Sequence, residues 1–295
     1  MAHDLAQAGS PLMLADLQAH RAQLRDPLSY AHSAGTLYNL PPPTQGVVSL
    51  LILAILDELN IAAAAPASAD YVHLCVEATK QAFHVRELAA KIDRHRAAPW
   101  GAGQAPSDTV WMGVIDGAGR AVSFIQSLYH EFGAGIVLND SGVNWQNRGC
   151  SFALQNEKLN ALRPGRKPFH TLNPALARLR DGRVMVYGTM GGDGQPQTQS
   201  AVFTRVATQG MDAQAAVSAP RWLLGRRWGE TSDTLKLESR FDARVVSELA
   251  ARGHEVEILQ AYDEAMGHAG CIVRGAEGVL EGGADPRSDG AVAAF

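Results

Sequence analysis

The chain is expected to fold as an α+β protein, with antiparallel sheets packed together and helices on their outer faces. Three features predict this. Apolar residues first recur at helical spacing, at Tyr71, Leu74, Cys75, Ala78, Ala82, Val85, Leu88, Ala89 and Ile92. A Gly/Pro-rich run, Pro99 to Ser107, then breaks the pattern, and beyond it turn residues join short strand-like segments into hairpins. Helical signals return only after those hairpins.

Each element has its own local reason. Residues 11–27 read as a short helix with polar flanks. Tyr38-Asn-Leu-Pro-Pro-Pro-Thr-Gln-Gly46 reads as a rigid extended turn, because proline fixes φ and biases its predecessor away from helix. A buried helix follows over Val47–Leu59; its apolar run, broken only by Ser49, is too short to span a bilayer. Residues 69–93 form a long amphipathic helix, and residues 99–107 a linker. Past it, Val110–Asp116 and Ala121–Leu128 are strands joined by Asp116-Gly-Ala-Gly119. Asn173–Leu179 and Val184–Tyr187 are strands joined by Arg180-Asp-Gly-Arg183. Gln199–Thr208 reads as a helix, and Asp212 as the N-cap of a short helix ending before Pro220. Phe241, Val245 and Leu249 mark a helix stopped by Gly253, with a strand at Glu255–Leu259.

Composition narrows the functions. A chain of 295 residues with 46% hydrophobic content suits one large or two small domains. A net charge of −4 with scattered Lys and Arg argues against nucleic acid as a partner. The N-terminal Met-Ala-His-Asp-Leu-Ala-Gln lacks the basic and apolar regions of a secretory signal. Three widely spaced cysteines argue against a disulfide framework, so a reducing, cytoplasmic setting is expected. Ten histidines show no H-E-x-x-H and no clustered Cys/His spacing, so neither metal nor cofactor is expected.

Two runs carry chemistry. In Asp108-Thr-Val-Trp-Met-Gly-Val114 a threonine stands at the mouth of a strand. If the Asp108–Thr109 bond breaks, the new α-amino group, of ordinary pKa about 7.7–8.0, can take the proton of its own hydroxyl. The alternative is an ordinary β-branched strand residue. Ser127 falls across the hairpin within reach of Thr109, or is simply polar on a strand face. Tyr187-Gly-Thr-Met-Gly-Gly-Asp-Gly-Gln195 joins a strand to a helix. Its paired glycines, Gly191 and Gly192, can aim N–H groups at the oxyanion of acyl transfer, or form a plain turn. G-x-G-x-x-G spacing is absent, which argues against a dinucleotide, and no G-x-S-x-G occurs. Arg148 can hold a carboxylate bidentately, and His170 is either a ligand-binding or a surface histidine.

These residues resemble the γ-glutamyltransferase family of N-terminal-nucleophile hydrolases. The motifs follow the family order: Leu40-Pro-Pro-Pro43, Asp108-Thr109, Phe132-Gly-Ala-Gly-Ile136, Asp140-Ser-Gly142, Gly191-Gly192, Ala219-Pro-Arg221 and Asp285-Pro-Arg-Ser288. The resemblance implies a four-layer αββα sandwich and autocleavage before Thr109, which becomes the nucleophile. Ser127 would support it, and Gly191 and Gly192 would form the oxyanion hole. Residues 1–108 match the end of the family's large subunit and residues 109–295 its small subunit, so the sandwich is expected to be incomplete. The two fragments would stay associated after cleavage, with homo-oligomers of such heterodimers left open.

Departures from the family pattern point to the substrate. Where glutamyl enzymes hold an amino-acid end, this chain has Tyr129, Arg148, Ser151 and His170-Thr171. The acid that would meet an ammonium is Ser151, and a cation lies nearby. Such a pocket suits a small carboxylate lacking an α-amino group, and is similar to the oxamate amidohydrolase branch, which makes oxalate and ammonia in purine-ring nitrogen salvage. The alternatives are a glutathione or γ-glutamyl hydrolase or transferase, and an inactive fragment needing a partner chain.

Overall fold

The computed structural model describes residues 1–90, 107–158, 160–225 and 234–295, with backbone alone at 87–90 and 107–108. In chain order the elements begin with α1 (Ala2–Gln7), α2 (Leu14–Ala19), β1 (Leu28–His32), β2 (Gly35–Asn39), α3 (Gly46–Glu58) and α4 (Ala69–Ala90). Next come β3 (Ser107–Ile115), β4 (Ala121–His130), β5 (Ala175–Leu179), β6 (Val184–Thr189), α5 (Gln195–Ala207) and α6 (Ala213–Ser218). The last are β7 (Trp222–Leu224), β8 (Leu235–Glu238), α7 (Ala243–Ala251), β9 (Val256–Leu259), β10 (Ala269–Arg274) and β11 (Leu280–Ala284).

An antiparallel sheet in the order β1-β2-β5-β6-β10-β11 forms the centre. Strand alternation divides its side chains. Met185 and Tyr187 of β6, with Ala269, Cys271 and Val273 of β10, join Leu53 of α3, Val202 and Phe203 of α5 and Val217 of α6 in one core. A second core packs the other side of α3, through Val48, Ile52 and Leu56, against α4 and the β7-β8-β9 sheet. Burying α3 on both sides is what its continuous apolar run requires.

The β3–β4 hairpin lies on the other face of the central sheet. Trp111 rests across Gly188 of β6 and Gly270 of β10, where a Cβ on either glycine would collide with the indole. The indole N–H donates to Ser123 Oγ at 3.0 Å, and that hydroxyl donates to the Tyr187 carbonyl at 3.4 Å. The opposite hairpin face carries Val110, Met112, Val114, Val122 and Phe124, each 43–57% exposed. Where the hairpin stops short, a cavity of about 560 Å³ opens over β2 and β5, lined by Tyr38, Leu40, Ser123, Leu176 and Arg178. The described residues thus supply helix, sheet and sheet layers, leaving the outer side of the hairpin bare.

Several expectations needed correction. The 11–27 helix is confined to Leu14–Ala19. The extended turn begins later, since Tyr38 and Asn39 complete β2; a cis Pro42–Pro43 peptide follows. The β1–β2 hairpin escaped notice because its turn is closed by a side chain: the Ala34 N–H donates to His32 Nδ1 at 2.9 Å. Helix α5 starts four residues before the expected Gln199, with its polar residues buried. Apart from Gln195, whose side-chain amide is unpartnered among the described residues, they are satisfied internally, as in Ser200 Oγ to the Pro196 carbonyl (2.7 Å) and Gln199 Nε2 to the Asn173 carbonyl (2.7 Å), so no apolar stripe marks the helix. Strands β8 and β9 are parallel, joined through α7, a pairing not anticipated. Asp212 caps α6 as expected, accepting from the Ala215 N–H at 2.7 Å. The linker before Ser107 lies outside the described residues. Among the described residues no helix is long and apolar enough to cross a membrane.

Candidate active site

The Asp108–Thr109 bond lies inside β3 at an irregular point of the ladder. Asp108 pairs with Tyr129 and Thr109 with Ser127, so Leu128 is an extra residue on β4. Such a bulge bends a strand and re-aims neighbouring side chains. Tyr129 sits at φ 80°, a conformation that costs a non-glycine residue roughly 1–3 kcal/mol. Beyond the bulge Thr109 Oγ1 and Ser127 Oγ are 2.7 Å apart, and Ser127 Oγ also accepts from the Tyr129 N–H at 2.8 Å. Period-two alternation puts Thr109 on the Trp111 face, toward the sheet.

Tyr129 leads into a cationic pocket. The Arg148 guanidinium stacks 3.9 Å from the Tyr129 ring centroid. Its Nε donates to the Phe169 carbonyl (2.8 Å) and its Nη1 to Thr171 Oγ1 (3.3 Å). Arg148 is 4% exposed, and among the described residues no carboxylate lies within ion-pair distance. Burial lowers its pKa, and burial raises that of Tyr129, offset by Arg148 and a Ser151 hydrogen bond. His170 is pushed down to about 4, first by burial and then by Arg148, so the ring is neutral near pH 7. Its Nδ1 is buried and, among the described residues, unpartnered. The proline turn pins it: the His170 N–H donates to the Pro43 carbonyl (2.8 Å), and the Gln45 N–H to the His170 carbonyl (3.0 Å).

The glycine loop follows β6, three residues beyond the glycine under Trp111. Gly191 has φ 127° and Gly192 φ 54°, backbone that suits glycine alone or nearly so. Among the described residues their two N–H groups have no acceptor. Two side chains missed in the sequence hold the loop. Gln45 Nε2 bridges the carbonyls of Gly192 (2.7 Å) and Thr171 (2.9 Å). Buried Arg86 donates to Asp193 Oδ1 at 2.8 Å and to Gln45 Oε1 at 3.5 Å. A glutamine at a helix start and an arginine on a long helix give no local hint of a contact more than 100 residues away. Of the predicted residues, Tyr129, Arg148, Ser151 and Thr171 cluster by contact, and Thr109 and Ser127 pair beside them. No His/Cys/Asp/Glu trio converges here among the described residues.

Sandwiches of this class include the solved cephalosporin acylase of Bacillus halodurans. The two superpose with a TM-score of 0.81 over 100% of this chain and 58% of that one, at 29% identity. The chain belongs to the gamma-glutamyltranspeptidase family, whose model matches residues 1–98 and 84–295. It is 55% identical to the oxamate amidohydrolase proenzyme of Klebsiella pneumoniae, with 100% of this chain and 60% of that protein aligned. It is 39% identical to a glutathione hydrolase-like proenzyme of Bacillus subtilis, over 97% of this chain and 59% of that protein. The chain therefore spans about 60% of the length of the curated relatives it matches.

Proposed function

We propose that this chain carries the catalytic machinery of a self-cleaving amide hydrolase whose substrate is a small carboxylate-bearing amide, oxamate foremost. One observation supports the substrate class above all: the buried Arg148 guanidinium, beside the Thr109–Ser127 hydroxyl pair, has no anion of its own among the described residues. A small carboxylate entering against Arg148, Thr171 and the Tyr129 ring would supply it, and neutral His170 adds no competing charge. Identity of 55% to an oxamate amidohydrolase proenzyme agrees with that choice.

The proposed chemistry is that of an N-terminal nucleophile with its own base. Scission before Thr109 frees an α-amine that takes the proton from Thr109 Oγ1 as the oxygen attacks the amide carbon. The Gly191 and Gly192 N–H groups receive the oxyanion. The C–N bond breaks, the amine's proton passes to the leaving nitrogen, and ammonia departs from a threonyl ester. Water, deprotonated by the same amine, then attacks that ester; the C–O bond breaks, giving the dicarboxylate and restoring the hydroxyl. Ser127 holds Thr109 Oγ1 in line throughout.

Thr109→Ala is expected to abolish self-cleavage and oxamate turnover together, read by intact mass and ammonia release. Cleavage near residue 108 persisting in that variant would overturn the proposal. A glutathione hydrolase is the second reading, favoured by the Bacillus subtilis relative. It predicts release of glutamate from a γ-glutamyl anilide and none of oxalate from oxamate.

A further inference from the structure

Away from Thr109, three donor side chains converge where α4 meets the end of α7. His73 and Glu77 stand one helical turn apart on α4 and so share a face. His254 follows Gly253, 181 residues further along the chain. His73 Nδ1 and His254 Nε2 are 2.8 Å apart, and with a Glu77 carboxylate oxygen all the ligand atoms lie within 4.8 Å of one another. His254 is buried, and the other two are half-buried.

We propose that His73, Glu77 and His254 bind a divalent transition-metal ion of the zinc class, with water completing the shell. Two imidazole nitrogens and one carboxylate match the ligand preferences of zinc, and not those of calcium or magnesium, which take oxygen. Nitrogens bound to one tetrahedral ion at about 2.0–2.1 Å stand roughly 3.3 Å apart. The rings need to part by only about half an ångström from their present contact. They meet at 69° with centroids 5.1 Å apart, so neither blocks the other's nitrogen. In the hydrogen bond one ring must give its proton to the other; an ion takes both lone pairs instead. Glu77 is held by Lys80 at 2.6 Å, but that pair is 38% and 44% exposed, and such surface pairs yield readily. The charges around the trio balance, with Lys80 and Arg252 set against Glu77 and Asp70. A bound ion would clip α4 to the α7–β9 turn, and the site shares no residue with that around Thr109.

The test uses the full chain stripped with chelator and titrated with Zn²⁺ by calorimetry and thermal melting. One equivalent is expected to bind, raising Tm by roughly 5 °C at a hundredfold excess over Kd. His73→Gln or His254→Ala should lose the shift, Glu77→Gln should weaken it, and bound Co²⁺ should give the visible spectrum of a tetrahedral site. Because His254→Ala removes a buried ring, His73→Gln and the Co²⁺ spectrum of the unmodified chain carry the result if that variant does not fold. Equal Zn²⁺ affinity in the unmodified and His73→Gln chains, or no saturable binding, would overturn the proposal.

Discussion

A guanidinium taken out of water costs several kcal/mol unless an anion meets it. Arg148, at 4% exposure, is met by a carbonyl, a hydroxyl and a ring face. Replacing it should therefore act in opposite directions on stability and activity. Arg148→Met is expected to raise the urea midpoint while kcat/KM for oxamate falls by about 30-fold or more, the equivalent of losing at least ~2 kcal/mol. A variant equally active, or one that loses stability and activity together, would rule out the anion-receptor role. His170 gives a pH signature. Burial lowers its folded pKa to about 4, below the ordinary 6.5, so the unfolded chain holds more protons between those values. Its contribution is complete above about pH 6.5 and is lost as pH falls toward 4, by up to about 3 kcal/mol. Urea midpoints of the unmodified chain and His170→Gln, compared at pH 7.5 and 4.5, should show the gap shift in the variant's favour at acid pH. Much at this scale could be read from sequence. Once Asp116–Gly119 is a hairpin turn, Ser127 must fall near Thr109, and Arg148 and Thr171 do meet. The left-handed Tyr129 could not, because nothing in a tyrosine announces a bulge.

At the scale of elements, one aromatic ring sets the position of the hydroxyl pair. Trp111 is two residues from Thr109, and Gly188 and Gly270 leave it room to lie flat on the sheet. Gly188→Ala or Gly270→Ala would lift the indole and with it the strand. A displacement near 1 Å costs about 100-fold where geometry is demanding. Self-cleavage, followed by intact mass over time, should slow by roughly that factor and recover partly when Trp111→Phe is added; an unchanged rate would show the ring to be mere filling. The hairpin, α4 and the α6 cap were legible because their signals are local: turn residues, period 3.6, an Asp ahead of the helix. α5 was legible only in part. Its first turns bury glutamine, threonine and serine against carbonyls, so tertiary hydrogen bonds override the apolar period. The same holds for Gln45 and Arg86, whose partners are fixed only once the chain has folded back on itself.

For the whole molecule, the family motifs that carry no chemistry meet in a buried lock. Arg221 pairs with Asp285, while Arg287 bridges Asp285 Oδ1 at 3.0 Å and Glu238 Oε2 at 2.7 Å, all with almost no exposure. Removing one partner leaves a buried charge uncompensated, so Glu238→Gln should lower stability by about 3–5 kcal/mol, measured by denaturant unfolding. A loss below ~1 kcal/mol would mean that the neighbouring carbonyls already satisfy Arg287. The bare hairpin face should drive self-association; Val114→Lys with Phe124→Glu is expected to reduce light scattering without lowering Tm. The sheet order has a last consequence. Strands β1 and β2, which precede Thr109, are zipped to β5, and α3 is sealed between both cores. A cut at residue 108 would remove none of that ladder. It would turn a unimolecular folding equilibrium into a bimolecular one, so the melting temperature of the nicked species should rise with protein concentration, while that of the uncut chain should not. Once parted, the halves would have to find each other by diffusion, which makes maturation a one-way step for the fold itself.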